Sequence, residues 1–451
     1  MSKVSDSTKD CTKLAPGPKS PYTIDIDLES QQHIAELLSE YGDIIKLNDA
    51  KRKDLSYVIT NPAAIKHVLI SNHSNYIKGT GFERVKMLLG NGIIVSDGKF
   101  WRRQRTMIQP AFSRKNVHHM CDMIKTVTQS LIPQWKQKAE RGEAIDITTE
   151  MSEFALEVIL RAIISDDLDK IIAEQGGNPF AFLTEDTTRD LAVAMRFRQL
   201  GKLIQKVIDS RRHVSGEAGG GPSSNGQQDI DDLLSALMAA TDKNGTNMTD
   251  KELIDEVMTM IIAGHETSAG TLNWVWYELS QHPDADARAY KEVSSFVNND
   301  TISTDDLSKL SFTKQCINEA LRLYPPVWLF SRKAINDDVI QGYSVPAGTN
   351  IFLSPYFTHR DPRLWQRPDE FYPEHFVNDG EQLKDKYAFI PFSAGSRRCI
   401  GEYFSYIEMQ AHLAIMLNTF RLDALPDQQI EIEPAINLRT KNSIMMQISL
   451  R

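Results

Sequence analysis

Between Thr249 and His282-Pro283 nothing in the sequence interrupts a helix. Thr249-Asp250-Lys251-Glu252 has the form of a capping box, in which the Thr hydroxyl and the Glu carboxylate each accept a backbone N–H of the first turn. The predicted helix holds about 32 residues, or ~48 Å at 1.5 Å per residue. It contains the most apolar run of the chain, residues 257–264. A helix this long and this apolar has to run through the middle of a fold, so the rest of the chain must supply a shell around it. It is not a membrane span, because the apolar run falls far short of the ~20 residues required.

The flanking sequence reads as that shell. Helical periodicity dominates 101–212, as in 151–164, where Phe154, Leu156, Val158, Ile159 and Ile163 keep a helical period. Further helices are predicted over 307–324 and 402–420. Asn61-Pro62 opens a short one through Leu69, with proline at its first position. Strand-like runs at 44–47 and 57–59, and again at 351–353, 429–433 and 443–449, predict a small β portion drawn from both ends of the chain. The expectation is a mainly α fold in a single domain over 21–451. A polar tail and a rigid Pro-Gly hinge at 1–20 precede it, and a low-complexity surface loop at 214–229 interrupts it.

Composition removes several classes. The net charge is −9, whereas a nucleic-acid-binding protein of this size usually carries the opposite sign. No nucleic-acid partner is expected. The 4 cysteines, at 11, 121, 316 and 399, share no short spacing, so neither a zinc knuckle nor a CxxC redox pair is present. Residues 1–14 have no apolar core of an export or anchor signal. A cytoplasmic protein with no membrane anchor is therefore expected.

One cysteine stands apart. Residues 392–401 read Phe-Ser-Ala-Gly-Ser-Arg-Arg-Cys-Ile-Gly, and a helical segment follows at once. Backbone N–H groups at a helix start, with Arg397 nearby, favour a thiolate. Gly395 and Gly401 let backbone approach something large and flat. Taken alone, Cys399 reads first as a buried structural cysteine beside an exposed Arg pair.

The pattern is not alone. Phe392-x-x-Gly395-x-Arg397-x-Cys399-x-Gly401 resembles the haem-thiolate signature of the cytochrome P-450 family. Glu319-Ala-Leu-Arg322 is similar to that family's ExxR, and Ala263-Gly264-His265-Glu266-Thr267-Ser268 to its oxygen-activation motif on the long central helix. Trp101-Arg-Arg-Gln-Arg105 is similar to its WxxxR helix. The resemblance spans nearly the whole chain and implies the cytochrome P-450 fold. It departs at Pro373-Glu374-His375-Phe376, where His375 takes the place of the family's arginine. A histidine donates a hydrogen bond but forms no guanidinium fork, so a weaker or pH-sensitive brace is expected there.

The resemblance implies haem b as cofactor, with Cys399 as iron ligand and metal-binding residue. Phe392 would shield the sulfur, and Trp101, Arg105, Arg332 and Arg397 would hold the propionates, which need donors when buried. Ala263 and Gly401 would lie against the ring. Glu266 and Thr267 become the catalytic proton relay, and Glu319 with Arg322 a structural brace. The substrate pocket would be lined by Ile93, Ile94, Ala263, Val327, Leu329, Ser443 and Ile444. Most of these are apolar, which suits a hydrophobic substrate. The neighbouring Trp328 either narrows that pocket or packs outward. Residues 183–212 would supply its lid helices.

The implied reaction is insertion of one atom of O2 into a C–H or C=C bond of a lipophilic molecule. The stretch 90–105 resembles the fatty-acid-hydroxylase side of the family, which points to a fatty acid or another natural product. The lack of an anchor suggests a soluble, bacterial-type enzyme. Electrons would come from a ferredoxin or flavodoxin with an NAD(P)H-dependent reductase. Lys99, Arg102, Arg103 and Arg398 form a candidate basic patch for such an acidic donor. A peroxide-driven or oxidative-coupling enzyme and a non-catalytic haem-binding sensor are the competing readings.

Overall fold

The computed structural model describes residues 13–185, 191–217, 232–380 and 383–451. Five helices carry the features of interest: α1 (Gly98–Ile108), α2 (Ile147–Ile164), α3 (Asp250–Gln281), α4 (Ser311–Leu323) and α5 (Glu402–Thr419). The chain divides into two compact units.

The first unit comprises Met1–Phe82, Gln315–Cys399 and Gln429–Asn442. Its frame is a five-stranded sheet. Ile44–Asn48 pairs antiparallel with Leu55–Ile59, which pairs parallel with Asn350–Leu353. Phe330–Ala334 follows antiparallel, and Tyr76–Lys78 closes the edge. Successive side chains of a strand point to opposite faces, and here both faces are apolar. Ile44, Tyr57, Ile59, Ile351 and Leu353 pack into one cluster. The intervening Ile45, Leu47, Val58 and Phe352 pack into another. That is why these strands read as continuous hydrophobic runs. The hinge at 15–18 docks on the sheet edge, where the Lys46 N–H donates to the Pro16 carbonyl at 2.7 Å.

The second unit comprises Glu83–Lys314, Ile400–Gln428 and Ser443–Arg451. The 32-residue α3 is its axis, and its capping box forms as the sequence implies. Helix α2 lies along it. Gly264 permits the close approach, since a Cβ there would sit 2.7 Å from Ile159. Polar ties fix the register of these helices: Thr148 donates to Asn273 Oδ1 at 3.0 Å, and Ser152 Oγ meets His265 Nε2 at 2.9 Å. Helix α5 joins α3 through Trp276, whose indole N–H donates to His412 Nε2 at 3.2 Å. Ala144–Asp146, Met445–Leu450 and Phe420–Ala424 make a three-stranded antiparallel sheet.

The mainly α expectation and the small β portion stand. The helix predicted over 307–324 is broken, however. A short turn, Thr304–Leu307, ends and α4 begins at Ser311. The restart is capped from a distance: the Glu292 carboxylate accepts the N–H groups of Phe312 and Thr313, both at 2.8 Å. No local pattern signals such a cap. Residues 214–217 of the predicted loop belong to a helix, Leu191–Glu217, while 218–231 lie outside the described residues, as do 1–12 with Cys11 and 186–190 of the expected lid.

Candidate active site

In the first unit the Cys399 loop is closed by its own backbone, the Cys399 N–H donating to the Phe392 carbonyl at 2.9 Å. Gly395 sits at φ +73, and a Cβ there would lie 2.1 Å from the Leu69 carbonyl oxygen. The close approach expected of this glycine is thus to the chain itself. Gly401, whose Cβ would meet only Phe112 at 3.9 Å, is not crowded by protein. Cys399 is exposed, whereas Cys121 and Cys316 are buried. Phe392 and Arg397 are half-buried and Arg398 is exposed.

The brace expected from Glu319 and Arg322 is complete. Both side chains are 0% exposed. A guanidinium has five N–H donors, and each finds an acceptor. Nε and Nη2 bond the Glu319 carboxylate at 2.9 and 2.7 Å; the remaining N–H groups bond the carbonyls of His359 (2.8 Å), Pro368 (2.5 Å) and Glu370 (2.9 Å). His375 joins as the sequence suggests a histidine would. Its Nδ1 lies 3.1 and 3.2 Å from the Glu319 oxygens and its Nε2 2.5 Å from the Gln366 carbonyl. The Glu319 carboxylate and the Gln366 carbonyl are both acceptors. The brace reaches the cysteine loop through His359, whose Nε2 accepts the Ile390 N–H at 2.9 Å. Burial, with the Arg322 and Arg360 charges beside it, pushes His359 down to about 3. That ring stays neutral, as an acceptor must. Arg332 is 5% exposed and gives one N–H to the Ser331 carbonyl at 2.9 Å.

In the second unit α3 has a window. Residues on either side of its middle are buried, but Ile262, Ala263, Gly264, Glu266, Thr267 and Gly270 are only half-buried. Ala263, Thr267 and Gly270 follow the i, i+4, i+7 spacing of one helical face, so the opening is a stripe and not a frayed end. Thr267 donates to the Ala263 carbonyl at 2.7 Å, the back-bond expected for a helical threonine. On α1, Trp101 is buried and Arg105 half-buried. Ile93 and Ile94 sit half-buried in the turn before α1.

Other expected residues are placed differently. Ile444 is fully buried. Its N–H donates to Thr148 Oγ1 and its carbonyl accepts the Ile147 N–H, each at 3.0 Å. It therefore adds to the core of the second unit and not to a cavity wall, while its neighbour Ser443 points to solvent. Val327 is exposed and Leu329 is buried. Trp328 packs into the apolar cluster around Ile34 and Leu37 and donates to the Ala435 carbonyl at 2.9 Å, so it narrows nothing. Arg103 leaves the basic patch: it is ion-paired to Asp242 at 2.8 Å and Glu252 at 3.0 Å. Lys99, Arg102 and Arg398 are exposed.

Sequence reasoning passed over two buried acids. Glu408 on α5 accepts from Ser268 at 2.6 Å, next to Thr267. Glu256 on α3 accepts the Ile93 N–H at 2.9 Å. Burial pushes each carboxyl up to about 8. The signal was a carboxylate inside an apolar helical run, the same signal that singled out Glu266.

The chain matches the Cytochrome P450 family over residues 23–447 and belongs to it. It is 30% identical to cyclooctatin synthase of Streptomyces melanosporofaciens, covering 94% of this chain and 93% of that protein. It is also 30% identical to pentalenene oxygenase of Streptomyces avermitilis, covering 88% of each. A crystal structure of a cytochrome P450 superposes with a TM-score of 0.82, at 22% identity and over 97% of this chain and 99% of the other. The protein is thus a haem-containing oxidoreductase of the monooxygenase class, using O2, a redox partner and a hydrophobic substrate. The fit to haem is read within each unit: the first offers the exposed thiol of Cys399, and the second the half-open stripe on α3 and the buried indole of Trp101. No helix among the described residues is long and apolar enough to cross a membrane.

Proposed function

We propose that the protein is a single cytochrome P450 domain that hydroxylates or epoxidises a neutral, lipophilic natural product. The half-open stripe on α3, apolar at Ile262, Ala263 and Gly270 and polar at Glu266 and Thr267, carries this reading. When bound, haem supplies the activation of O2 and the transfer of one oxygen atom to carbon. Cys399 is the residue that would hold its iron. Trp101, Arg105, Arg332 and Arg397 would bind its carboxylates, and Phe392 would keep water from the sulfur. Thr267 fixes its hydroxyl by donating to the Ala263 carbonyl, which leaves the oxygen lone pairs to accept from water. Glu266, the half-buried carboxyl of the preceding residue, would take a proton from solvent and hold it for the water that donates to Thr267 Oγ1.

A neutral substrate is favoured over a fatty acid by the wall at 91–94. The side chains beneath it are Asp255, paired with Lys251, and the buried Glu256, and neither offers a cation to hold a substrate carboxylate. The names of relatives point the same way: one oxygenates pentalenene and another is a cyclooctat-9-en-7-ol 5-monooxygenase. Electrons would arrive from an acidic ferredoxin or flavodoxin served by an NAD(P)H-dependent reductase in the cytoplasm, docking at the exposed Lys99 and Arg102. Optical titration of the haem-loaded protein tests the substrate class. Cyclic alkenes and alcohols are expected to shift the Soret band at lower concentration than dodecanoic acid. The reverse order would make it a fatty-acid enzyme.

A further inference from the structure

The turn before α1 is held to α3 by two adjacent carboxyl groups. The Asn91 N–H donates to Asp255 Oδ2 at 2.9 Å and the Ile93 N–H to Glu256 Oε2 at 2.9 Å. Glycines make the approach possible. Gly90 has φ +78, and a Cβ there would fall 2.0 Å from Asp255 Oδ1. A Cβ on Gly92 would fall 2.1 Å from Thr259 Oγ1 and 2.7 Å from the Asp255 carbonyl oxygen. The turn then closes on itself, the Val95 and Ser96 N–H groups both reaching the Gly92 carbonyl. The two acids differ in charge. Asp255 is paired with Lys251 Nζ at 2.8 Å. Glu256 is fully buried, its Oε1 has no hydrogen-bond partner, and burial beside the Asp255 and Glu252 charges holds it up at about 8. It is therefore neutral at physiological pH. Glu256, Ala263 and Thr267 follow an i, i+7, i+11 spacing and share one face of α3.

We propose that Asp255 and Glu256 are positioning residues that clamp residues 91–94 onto α3 and so set the wall formed by Ile93 and Ile94, and with it the size of substrate the enzyme accepts. This rests on the reading of Ile93 and Ile94 as pocket residues. A neutral acid suits the task, because it accepts the Ile93 N–H without placing a charge beside a lipophilic substrate. Asp255 carries its charge at the outer end of the clamp, next to Lys251.

The test uses haem-loaded protein and the variants Glu256→Leu, Glu256→Gln and Gly92→Ala, with Ile93→Ala as reference. Two quantities are read: amide hydrogen exchange across 89–96, and the optical affinity for 1-dodecylimidazole relative to imidazole. The imidazole heads are identical, so the ratio reports the pocket. Losing a hydrogen bond to a buried carboxyl speeds exchange roughly 10- to 100-fold. Glu256→Leu and Gly92→Ala are expected to show that increase and to lower the affinity ratio about tenfold. Glu256→Gln retains the carbonyl acceptor and is expected to keep both values. Unchanged exchange in Glu256→Leu and Gly92→Ala overturns the clamp. Faster exchange with an unchanged affinity ratio overturns the positioning role. If Ile93→Ala also leaves the ratio unchanged, the failure lies with the pocket reading; if Ile93→Ala lowers it, the failure lies with the clamp's role.

Discussion

Replacing His375 by Phe isolates the hydrogen bonds of the brace from its packing. The ring sits edge-on to Trp365 and Tyr372, with centroids at 5.2 and 5.1 Å, and a phenyl ring keeps those contacts. Two bonds are lost. The one to Glu319 is made to a carboxylate and contributes ~1.5–3 kcal/mol. The one to Gln366 leaves a carbonyl without that donor in a site where His375 is 7% exposed, at a cost of ~1–3 kcal/mol. Glu319 keeps Arg322 and the Tyr372 N–H at 2.8 Å, so the carboxylate is weakened and not abandoned. The total is ~2.5–6 kcal/mol, which spans the ~3–5 kcal/mol typical of breaking a buried pair. Urea unfolding followed by circular dichroism reads that loss. Because Arg322 connects through His359 to Ile390 and the cysteine loop, haem transfer to apomyoglobin should also accelerate. A midpoint within ~0.5 kcal/mol of wild type, with unchanged haem transfer, would show that His375 is a packing residue and that the brace needs only Glu319 and Arg322.

Removing Arg105 or Arg332 as Ala takes a partner from a buried carboxylate, so haem content on purification should fall; full retention in both variants would place these residues outside the cofactor site. Thr267→Ala should retain haem and NAD(P)H consumption while product per NAD(P)H falls and hydrogen peroxide rises to match; Thr267→Ser should restore coupling, and unchanged coupling in Thr267→Ala would remove its proton role. Stability should peak between about pH 4.5 and 6.5. Glu256 and Glu408, raised to about 8 by burial, take up protons on folding and lower stability as pH rises from their ordinary 4.5. His359 and His412, lowered to about 3 by burial, release protons on folding and lower it as pH falls below 6.5. Each group contributes ~1.4 kcal/mol per pH unit within its window. A urea midpoint that stays level or rises between pH 6.5 and 8 would contradict this.

Much of the site was legible because its chemistry is local. The capping box at Thr249, the Glu319–Arg322 pairing at i, i+3 and the Thr267 back-bond each depend on neighbours within one turn of helix. So does the exceptional setting of Cys399, a thiol in a glycine-punctuated loop. What escaped depends on partners far along the chain. Arg103 reads as a surface base until Asp242 and Glu252 meet it. The break before α4 needs Glu292 from the previous helix. Ile444 has the pattern of a wall residue, yet its backbone bonds to Thr148 and Ile147 draw it into the core. The strands at 55–59 and 350–353 gave no sign of which face was which, since both faces are buried.

The central claim is that Cys399 is the iron ligand of a haem-thiolate enzyme, and the ferrous–CO spectrum tests it most directly. Wild-type protein, Cys121→Ser and Cys316→Ser are expected to share the red-shifted Soret band of a thiolate-ligated haem, and Cys399→His is expected to bind haem and lose that band. Retention of the band in Cys399→His, with its loss in either of the other variants, would contradict the assignment.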